Sequence, residues 1–212
     1  MRNVKNILIT RRDVDMLNWI NGFGFVNIDQ ITTRYKISRE TAYARLRKLV
    51  AHNYLLHERL LQNKPGHYRV TKEGAEFNPL GLKPVRYVSL GKYQHTKLIV
   101  DLSLKLAEKY QVPFIPEREL RLDIEWDGVG SRRHLSDGVL EFEDKRIAIE
   151  VELTTKGRRR LRKIISSYLA NFSFNEVWYF CGNKEVMNLV ESQSNSNKFI
   201  KTFLLRDWEC KI

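Results

Sequence analysis

The most informative stretch of the sequence is residues 136–156, which read SDGVLEFEDKRIAIEVELTTK. From residue 147 to residue 153, apolar side chains alternate with Ala148, Glu150 and Glu152. Successive side chains of a β-strand point to opposite faces, so this pattern predicts a strand with one dry face. A preceding strand over residues 138–143 would complete a hairpin with Asp144-Lys145 as its two-residue turn.

The turn sets the register of this hairpin. A two-residue turn pairs Glu143 with Arg146, and counting outward places Asp137 opposite Glu152. Directly opposed residues share a face, so Asp137, Glu150 and Glu152 are expected on one side of the sheet. Clustered carboxylates repel one another unless a cation lies between them, and hard oxygen ligands suit Mg²⁺ or Mn²⁺. The alternative is an amphipathic strand whose second face is wet, because exposed glutamate is common.

Helical and strand patterns alternate around this hairpin. They predict helices at 93–110, 156–172 and 184–192, and strands at 122–126, 176–181 and 199–205. This order indicates a mixed sheet flanked by helices. The helix that follows the carboxylate strand is basic, with six Lys or Arg in the eight residues 156–163. Such a run is usually a solvated face, but here Arg158 and Arg159 could hold a DNA backbone near the carboxylates.

The first eighty residues have a different pattern. Helical periodicity, with Thr10 as a candidate cap, predicts three helices, and the third covers residues 38–52 with Ala42, Leu46 and Leu49 in its apolar stripe. A hairpin of residues 54–61 and 67–70 follows, around turn residues 63–66. Three helices and a two-stranded wing are the order of a winged helix-turn-helix. The runs 38–49 (SRETAYARLRKL) and 68–74 (YRVTKEG) resemble that family.

The exposed face of the third predicted helix carries candidate DNA contacts. Arg39, Tyr43 and Arg47 recur at i, i+4 and i+8, so they share one side of a helix that would enter the major groove. The candidate DNA contacts in this part of the chain are Ser38, Arg39, Tyr43, Arg47 and Lys48 on the helix, and Arg59, Lys64 and Arg69 on the hairpin. A solvated helix face, or a winged helix that contacts protein, is the alternative.

Charge supports a polyanionic partner. The chain of 212 residues has 37 Lys and Arg against 25 Asp and Glu, a net charge of +12. Residues 1–90 hold 16 basic and 7 acidic residues (net +9), and the remainder holds 21 and 18 (net +3). Nucleic acid is the commonest such partner. The sequence has no apolar run long enough for a membrane span and no signal-peptide pattern, and its two cysteines lack metal spacing, so a cytoplasmic protein without a membrane partner is expected.

A boundary separates the two patterns. Residues 77–92 contain two of the five prolines and break the periodicity. We therefore predict a mixed α+β chain with a DNA-binding domain at residues 1–80, a linker at 81–92 and an α/β domain at 93–212.

The carboxylate constellation resembles the PD-(D/E)xK, or restriction-endonuclease-like, nuclease fold. The resemblance implies that Asp137 and Glu150 bind the metal ion, with Glu117 or Glu119 as a further ligand. Two residues depart from the motif: Ser136 replaces the proline, and Glu152 replaces the lysine that helps to deprotonate the attacking water. Lys156 could supply that ammonium group instead, and Glu152 would then be a second ligand or base. The implied reaction is metal-assisted phosphodiester hydrolysis.

The order of the two domains also resembles the plasmid replication-relaxation family, which is related to endonuclease-fold mobilisation relaxases. The segments that carry this likeness are residues 137–138, 149–154 and 156–161. Two functions remain open. The first is a DNA-recognising nickase or relaxase of a plasmid or mobile element that uses Mg²⁺ or Mn²⁺. The second is a non-catalytic regulator or replication or transfer accessory, whose nuclease-like domain serves for dimerisation or docking. A homodimer and contacts with replication or conjugation proteins are open under both.

Overall fold

The computed structural model describes residues 7–62, 64–126, 134–155, 157–170, 173–195 and 197–210, with the backbone alone for 123–126. The chain divides into two compact units, Met1–Thr96 (unit 1) and Lys97–Ile212 (unit 2). Helices and two sheets are present, which confirms the mixed α+β class. Within the described residues, no helix combines the length and the apolar character needed to cross a membrane.

Unit 1 combines helices with a small antiparallel sheet. Its elements are α1 Arg11–Phe23, β1 Val26–Asn27, α2 Ile28–Tyr35, α3 Arg39–Ala51, β2 Leu55–Glu58, β3 His67–Val70 and α4 Lys72–Ala75, and α5 Leu90–Tyr110 begins in this unit. The sheet order is β1-β3-β2, with β3 antiparallel to both neighbours. The three helices and the hairpin agree with the sequence prediction. Strand β1 was not predicted because its two residues are too few to show a period.

Short polar side chains set the helix starts in unit 1. Thr10 and Asp13 form a capping box at α1: the Thr10 hydroxyl accepts from the Asp13 backbone N–H, and the Thr10 N–H donates to the Asp13 carboxylate. The Ser38 hydroxyl accepts from the Thr41 N–H at 3.2 Å at the start of α3. These bonds satisfy backbone donors that lack a partner within the helix, which is why serine and threonine mark the starts so well.

An ion pair joins α1 to α3. Arg45 donates through Nε to Asp13 Oδ1 at 2.7 Å and through its terminal nitrogen to Asp13 Oδ2. Arg45 also donates to the Leu8 carbonyl at 2.8 Å. The Asp13 carboxylate is buried; burial raises its pKa, but the bonds from Arg45 and Thr10 outweigh burial and hold the pKa below its ordinary value. One buried carboxylate therefore caps α1 and fixes α3 against it.

A buried histidine makes unit 1 sensitive to acid. The His67 ring has no exposed surface and packs edge-on against the rings of Phe25 and Tyr93 at 5.3 and 6.1 Å. Glu58 Oε2 lies 3.4 Å from Nε2, but without the alignment of a hydrogen bond. Burial dominates and lowers the His67 pKa below its ordinary value of 6.5, against the opposing effect of Glu58.

We expect His67→Phe to reduce the loss of stability of unit 1 in acid. A histidine with a lowered folded-state pKa takes up a proton on unfolding, so the free energy of unfolding falls as pH drops below 6.5, by at most about 1.4 kcal/mol per pH unit. Urea unfolding at pH 7.5 and pH 5 measures this slope. His52→Gln, at the C-cap of α3, is the control for removing a histidine elsewhere in unit 1, and its slope should change less than that of His67→Phe. An unchanged slope in His67→Phe would contradict the prediction.

Unit 2 is built around a five-stranded mixed sheet. After the rest of α5, its elements are β4 Phe114–Pro116, α6 Glu117–Trp126, β5 Gly138–Glu141, β6 Arg146–Glu152, α7 Arg158–Leu169, β7 Glu176–Cys181, α8 Lys184–Ser194, β8 Ile200–Leu204 and a 3₁₀ helix Leu205–Trp208. The sheet order is β4-β5-β6-β7-β8. Strands β4, β5 and β6 pair antiparallel, and β6, β7 and β8 pair parallel. The predicted mixed sheet is confirmed.

The strand predicted at residues 122–126 is wrong, because these residues belong to helix α6. The helix begins after Pro116 with strong helix formers, and Glu117 and Arg121 form an ion pair one turn apart. Local helix propensity therefore outweighs the short apolar alternation at residues 122–126. Strand β4, which is three residues long and pairs with β5, was not predicted.

The two faces of the sheet are covered differently. On one face, α7 and α8 pack against β6, β7 and β8 through a cluster of Ala148, Leu161, Ile164, Ile165, Tyr168, Val177, Tyr179, Cys181, Val186, Val190 and Ile200. On the other face aromatic rings meet: Trp178 lies 5.4 Å from Tyr110 and 5.5 Å from Phe203 between ring centroids. Both faces of β6 and β7 are therefore dry.

Candidate functional site

The hairpin that carries the acidic residues has a different register from the predicted one. Glu141, and not Glu143, pairs with Arg146, so the loop has four residues, 142–145, closed by the Phe142 N–H bond to the Lys145 carbonyl at 2.9 Å. The predicted two-residue turn is therefore wrong by two residues. Because side chains alternate between the two faces of a strand, a shift of two residues leaves each side chain on the face that was predicted for it. Continuing the observed pairing by one residue sets Asp137 opposite Glu150.

Glu150 and Glu152 lie on the face of β6 that α7 covers. They are 2% and 5% exposed, so the alternative of a wet second face is excluded. In the parallel pairing with β7, Glu150 lies beside Tyr179 and Glu152 beside Cys181. Two acidic side chains are thus buried among residues of the α7 and α8 core, an arrangement that costs free energy unless hydrogen bonds compensate it.

Glu150 is held by two ring side chains. Its Oε1 accepts from the Tyr168 hydroxyl of α7 and lies 2.6 Å from His134 Nε2. The rings of His134 and Tyr168 meet edge to face at 5.7 Å. Burial raises the Glu150 pKa above its ordinary value, and nearby Asp137 adds to this, against the bonds from His134 and Tyr168. Burial and the Glu150 charge also raise the Tyr168 pKa.

Asp137 uses its carboxylate inside the sheet. Its Oδ2 accepts the Val151 backbone N–H at 2.8 Å, and its carbonyl accepts the Glu117 N–H at 3.1 Å. Gly138 follows, and a Cβ there would lie 2.1 Å from Phe114 Cζ and 3.0 Å from the Ile115 carbonyl oxygen, so a larger residue would have to displace the Phe114 ring. Asp137 therefore lies where β4, β5 and β6 meet, and acts there as a backbone acceptor.

The buried face also holds a hydroxyl without a partner. The Tyr179 hydroxyl is buried and makes no hydrogen bond within the described residues. Burial raises the pKa of this hydroxyl, and the charges of Glu150 and Glu152 add to the effect. Burial and then Glu152 raise the pKa of Cys181 to about 12. Glu150 and Glu152 are buried and Asp137 is half-buried, and we call these three residues the carboxylate cluster.

The carboxylate cluster has the donor chemistry of a divalent-metal site but not its arrangement. Within the described ranges, no three His, Cys, Asp or Glu side chains form a group that could hold a metal ion. Asp137 Oδ2 is occupied by a backbone N–H, and Glu150 Oε1 by His134 and Tyr168. Glu119 lies half-buried in the first turn of α6. In this arrangement the described residues do not form a site that fits Mg²⁺ or Mn²⁺.

We expect Glu150→Gln to be at least as stable as the wild type at pH 8. An acid with a raised folded-state pKa loses a proton on unfolding, so the free energy of unfolding falls as pH rises above 4.5, by at most about 1.4 kcal/mol per pH unit. Glutamine keeps an acceptor for Tyr168 and has no charge to bury. Urea unfolding at pH 5 and pH 8 compares the slopes, with Glu143→Gln in the exposed hairpin loop as control. Equal slopes for wild type and Glu150→Gln would contradict this expectation.

The residues of α3 that were predicted to contact DNA are exposed. Ala42, Leu46 and Leu49 are buried, while Ser38, Arg39, Tyr43, Arg47 and Lys48 are exposed. We call Arg39, Tyr43, Arg47 and Lys48 the α3 surface. Burial and then Tyr43 raise the pKa of Tyr68 on β3 to about 12, and Arg47 opposes them.

The arginines of unit 1 differ in how far their guanidinium groups are paired or buried within the unit. Arg39 pairs with Asp29 at an exposed position, whereas the only hydrogen bond seen for the Arg47 guanidinium in the described structure goes to the Tyr43 carbonyl of its own helix, at 3.3 Å. Arg69 is mostly buried: it makes two 2.7 Å bonds to Glu58 and a 3.0 Å bond to the Val85 carbonyl. Arg69 thus serves the fold of the hairpin, and the exposed hairpin cations are Arg59 and Lys64.

The predicted residues of the basic helix are placed in part. Arg158 and Arg159 are exposed in the first turn of α7. Lys156, the predicted replacement for the missing motif lysine, lies outside the described residues. The sequence pattern did not indicate that His134 and Tyr168 both hold Glu150. Tyr168 is separated from Glu150 by 18 positions, and no local pattern links the two residues.

Comparison of the chain with protein-family models, with curated proteins and with solved structures finds no match.

Proposed function

We propose that the chain is a sequence-specific double-stranded DNA-binding protein, and that unit 1 is a winged helix-turn-helix whose α3 enters the major groove. The observation that carries this proposal is the α3 surface. The apolar stripe of α3 is turned inward, so Tyr43, Arg47 and Lys48 face solvent along one side. A helix of this kind fits the major groove and presents donors to base edges and cations to phosphates.

The hairpin and the charge of this region support the same proposal. Strands β2 and β3 form a two-stranded ribbon, and Arg59 and Lys64 are exposed in the loop between them. These cations suit phosphates beside the groove that α3 occupies. The net charge of +9 over residues 1–90 provides the attraction on which such contacts depend.

Selection of bound duplexes from a random-sequence library tests the proposal. We expect a preferred sequence to be enriched, and its affinity to fall steeply with salt. Three phosphate contacts, by Lys48, Arg59 and Lys64, would give a slope of about −2.7 in log K against log salt. A protein that enriches no sequence, or whose affinity is flat with salt, is not a DNA reader of this kind.

A non-catalytic role is the better-supported form of this function. In it the protein is a transcription regulator, or a replication or transfer accessory of a plasmid or mobile element, and unit 2 is a restriction-endonuclease-like fold kept for docking or dimerisation. The occupied oxygens of Asp137 and Glu150 favour this form over a metal-dependent nickase. Supercoiled plasmid that contains the selected sequence, incubated with Mg²⁺ or Mn²⁺, should stay intact. Nicking by the wild type that is lost in Asp137→Ala and in Glu150→Ala would support the nickase instead.

A further inference from the structure

Helix α7 carries a cluster of positive charge that unit 2 does not use. Its sequence, RRRLRKIISSYL, contains no acidic residue. The α7 basic face consists of the exposed Arg158, Arg159, Arg160, Arg162 and Lys163. Among the residues that the structure describes, none of these five forms an ion pair, and Arg162 bonds only to the neutral amide of Gln193, at 3.1 and 3.2 Å. The charges are therefore left to solvent or to a partner.

This arrangement is unfavourable for the helix itself. Four like-charge pairs stand three or four residues apart, such as Arg158 with Arg162 and Arg159 with Lys163, and together they cost roughly 1 to 2 kcal/mol. The cations also crowd the first two turns, where the helix dipole favours negative charge. Gly157 supplies no side-chain cap to offset this. A helix face that served only solubility could carry both acidic and basic side chains without this repulsion. A polyanionic partner would compensate the repulsion among the five cations.

The position of the apolar residues narrows the class of partner. Leu161, Ile164, Ile165 and Tyr168 of α7 are buried in the core of unit 2. Leu169, 43% exposed at the end of the helix, is a single apolar side chain and not the broad apolar face that inserts into a lipid surface. On the outer side, Arg159, Arg162 and Lys163 are followed one turn later by the exposed Ser166. Guanidinium, ammonium and hydroxyl donors along one line match the spaced oxygens of a nucleic-acid backbone.

We infer that the α7 basic face is a second nucleic-acid contact, which binds phosphates without reading sequence. This second contact goes beyond the proposed function, because the proposed function rests on unit 1 alone. The face has no aromatic side chain to stack on a base, and its five closely spaced cations suit the regularly spaced phosphates of a backbone, so we expect it to add affinity and salt dependence rather than sequence preference.

The test uses the full chain with three substitutions, Arg159→Gln, Arg162→Gln and Lys163→Gln. The matched control removes three exposed cations elsewhere in unit 2, by Lys184→Gln, Lys198→Gln and Arg206→Gln. Binding to random-sequence duplex is measured across salt concentrations. We expect the α7 variant to flatten the slope of log K by about 2.7, which corresponds to three phosphate contacts, and the control to keep the wild-type slope. The variant Arg159→Lys, Arg162→Lys keeps the positive charges and should also keep the wild-type slope. This comparison separates the effect of lost charge from an effect of the substitutions on folding.

The outcomes separate this inference from the proposed function. An α7 variant with the wild-type slope, or with a change no larger than that of the control, overturns the inference even if a preferred sequence is selected. Loss of slope in a protein that selects no sequence leaves the inference standing and ends the proposal for unit 1. Binding to vesicles with phosphatidylserine that the α7 variant loses, with unchanged nucleic-acid binding, would assign the face to a membrane surface and overturn the inference.

Discussion

Replacing Arg47 with glutamate is expected to weaken binding of the selected duplex about 100-fold or more, or roughly 3 kcal/mol. Arg47 is the cation of the α3 surface whose side chain bonds only to its own helix backbone, so its charge is available to DNA. Loss of such a contact alone costs about 1–3 kcal/mol, and a carboxylate in its place repels the phosphates. Because Arg47 is exposed, the fold of unit 1 should be unaffected.

Lys72→Glu is the matched control for this result. Lys72 is exposed on α4 of the same unit, so the substitution changes the net charge by the same amount away from the α3 surface. It should lower the affinity only slightly, through the long-range field of the protein. Electrophoretic mobility shift at one salt concentration compares the two variants. Equal losses in both would show that net charge, and not the α3 surface, governs binding.

Asp13→Ala should destabilise unit 1 by about 3 kcal/mol. The substitution removes the acceptor of Arg45 and also the side chain that bonds the Thr10 N–H in the capping box of α1. Breaking one partner of a buried ion pair costs about 3–5 kcal/mol, and a lost helix cap about 1 kcal/mol. Arg45 is 27% exposed and can recover hydration, so the ion-pair cost falls below the range for fully buried pairs and the total is about 3 kcal/mol.

Asp15→Ala in the same helix provides the comparison. Asp15 is exposed, 3.4 Å from an Arg34 nitrogen, and it accepts from the Tyr35 hydroxyl at 2.5 Å. Exposed pairs of this kind are worth about 1 kcal/mol or less. Urea unfolding at pH 7 gives both values. If Asp13→Ala costs no more than Asp15→Ala, then Asp13 does not join α1 to α3 in the way described.

Local patterns in the sequence were sufficient for most of the elements. Thr10 and Ser38 cap helices at or next to the predicted starts, and strands β3 and β7 have their predicted bounds. These features depend on neighbours within four residues, which a single sequence reveals. The strand predicted at residues 122–126 was wrong, because a period of two over five residues is too short to compete with the helix signal that precedes it.

The candidate site was less accessible from the sequence because it depends on distant contacts. Alternation placed Glu150 and Glu152 on one face correctly, but only the packing of α7 reveals that this face is dry. The bonds of His134 and Tyr168 to Glu150 span 16 and 18 residues. The pairing of Arg69 with Glu58 was hidden for a related reason, since it requires the register of β2 against β3.

The four-residue loop between β5 and β6 also determines which insertions and deletions this hairpin tolerates. Adding or removing two residues in the loop leaves Glu150 and Glu152 facing α7, as the difference between the predicted and observed registers illustrates. A single residue added in the loop can also be absorbed there without changing the pairing of β5 with β6. A residue inserted within the paired part of β6 before Glu150 would instead turn both glutamates away from α7, so length variation in this hairpin should be confined to the loop.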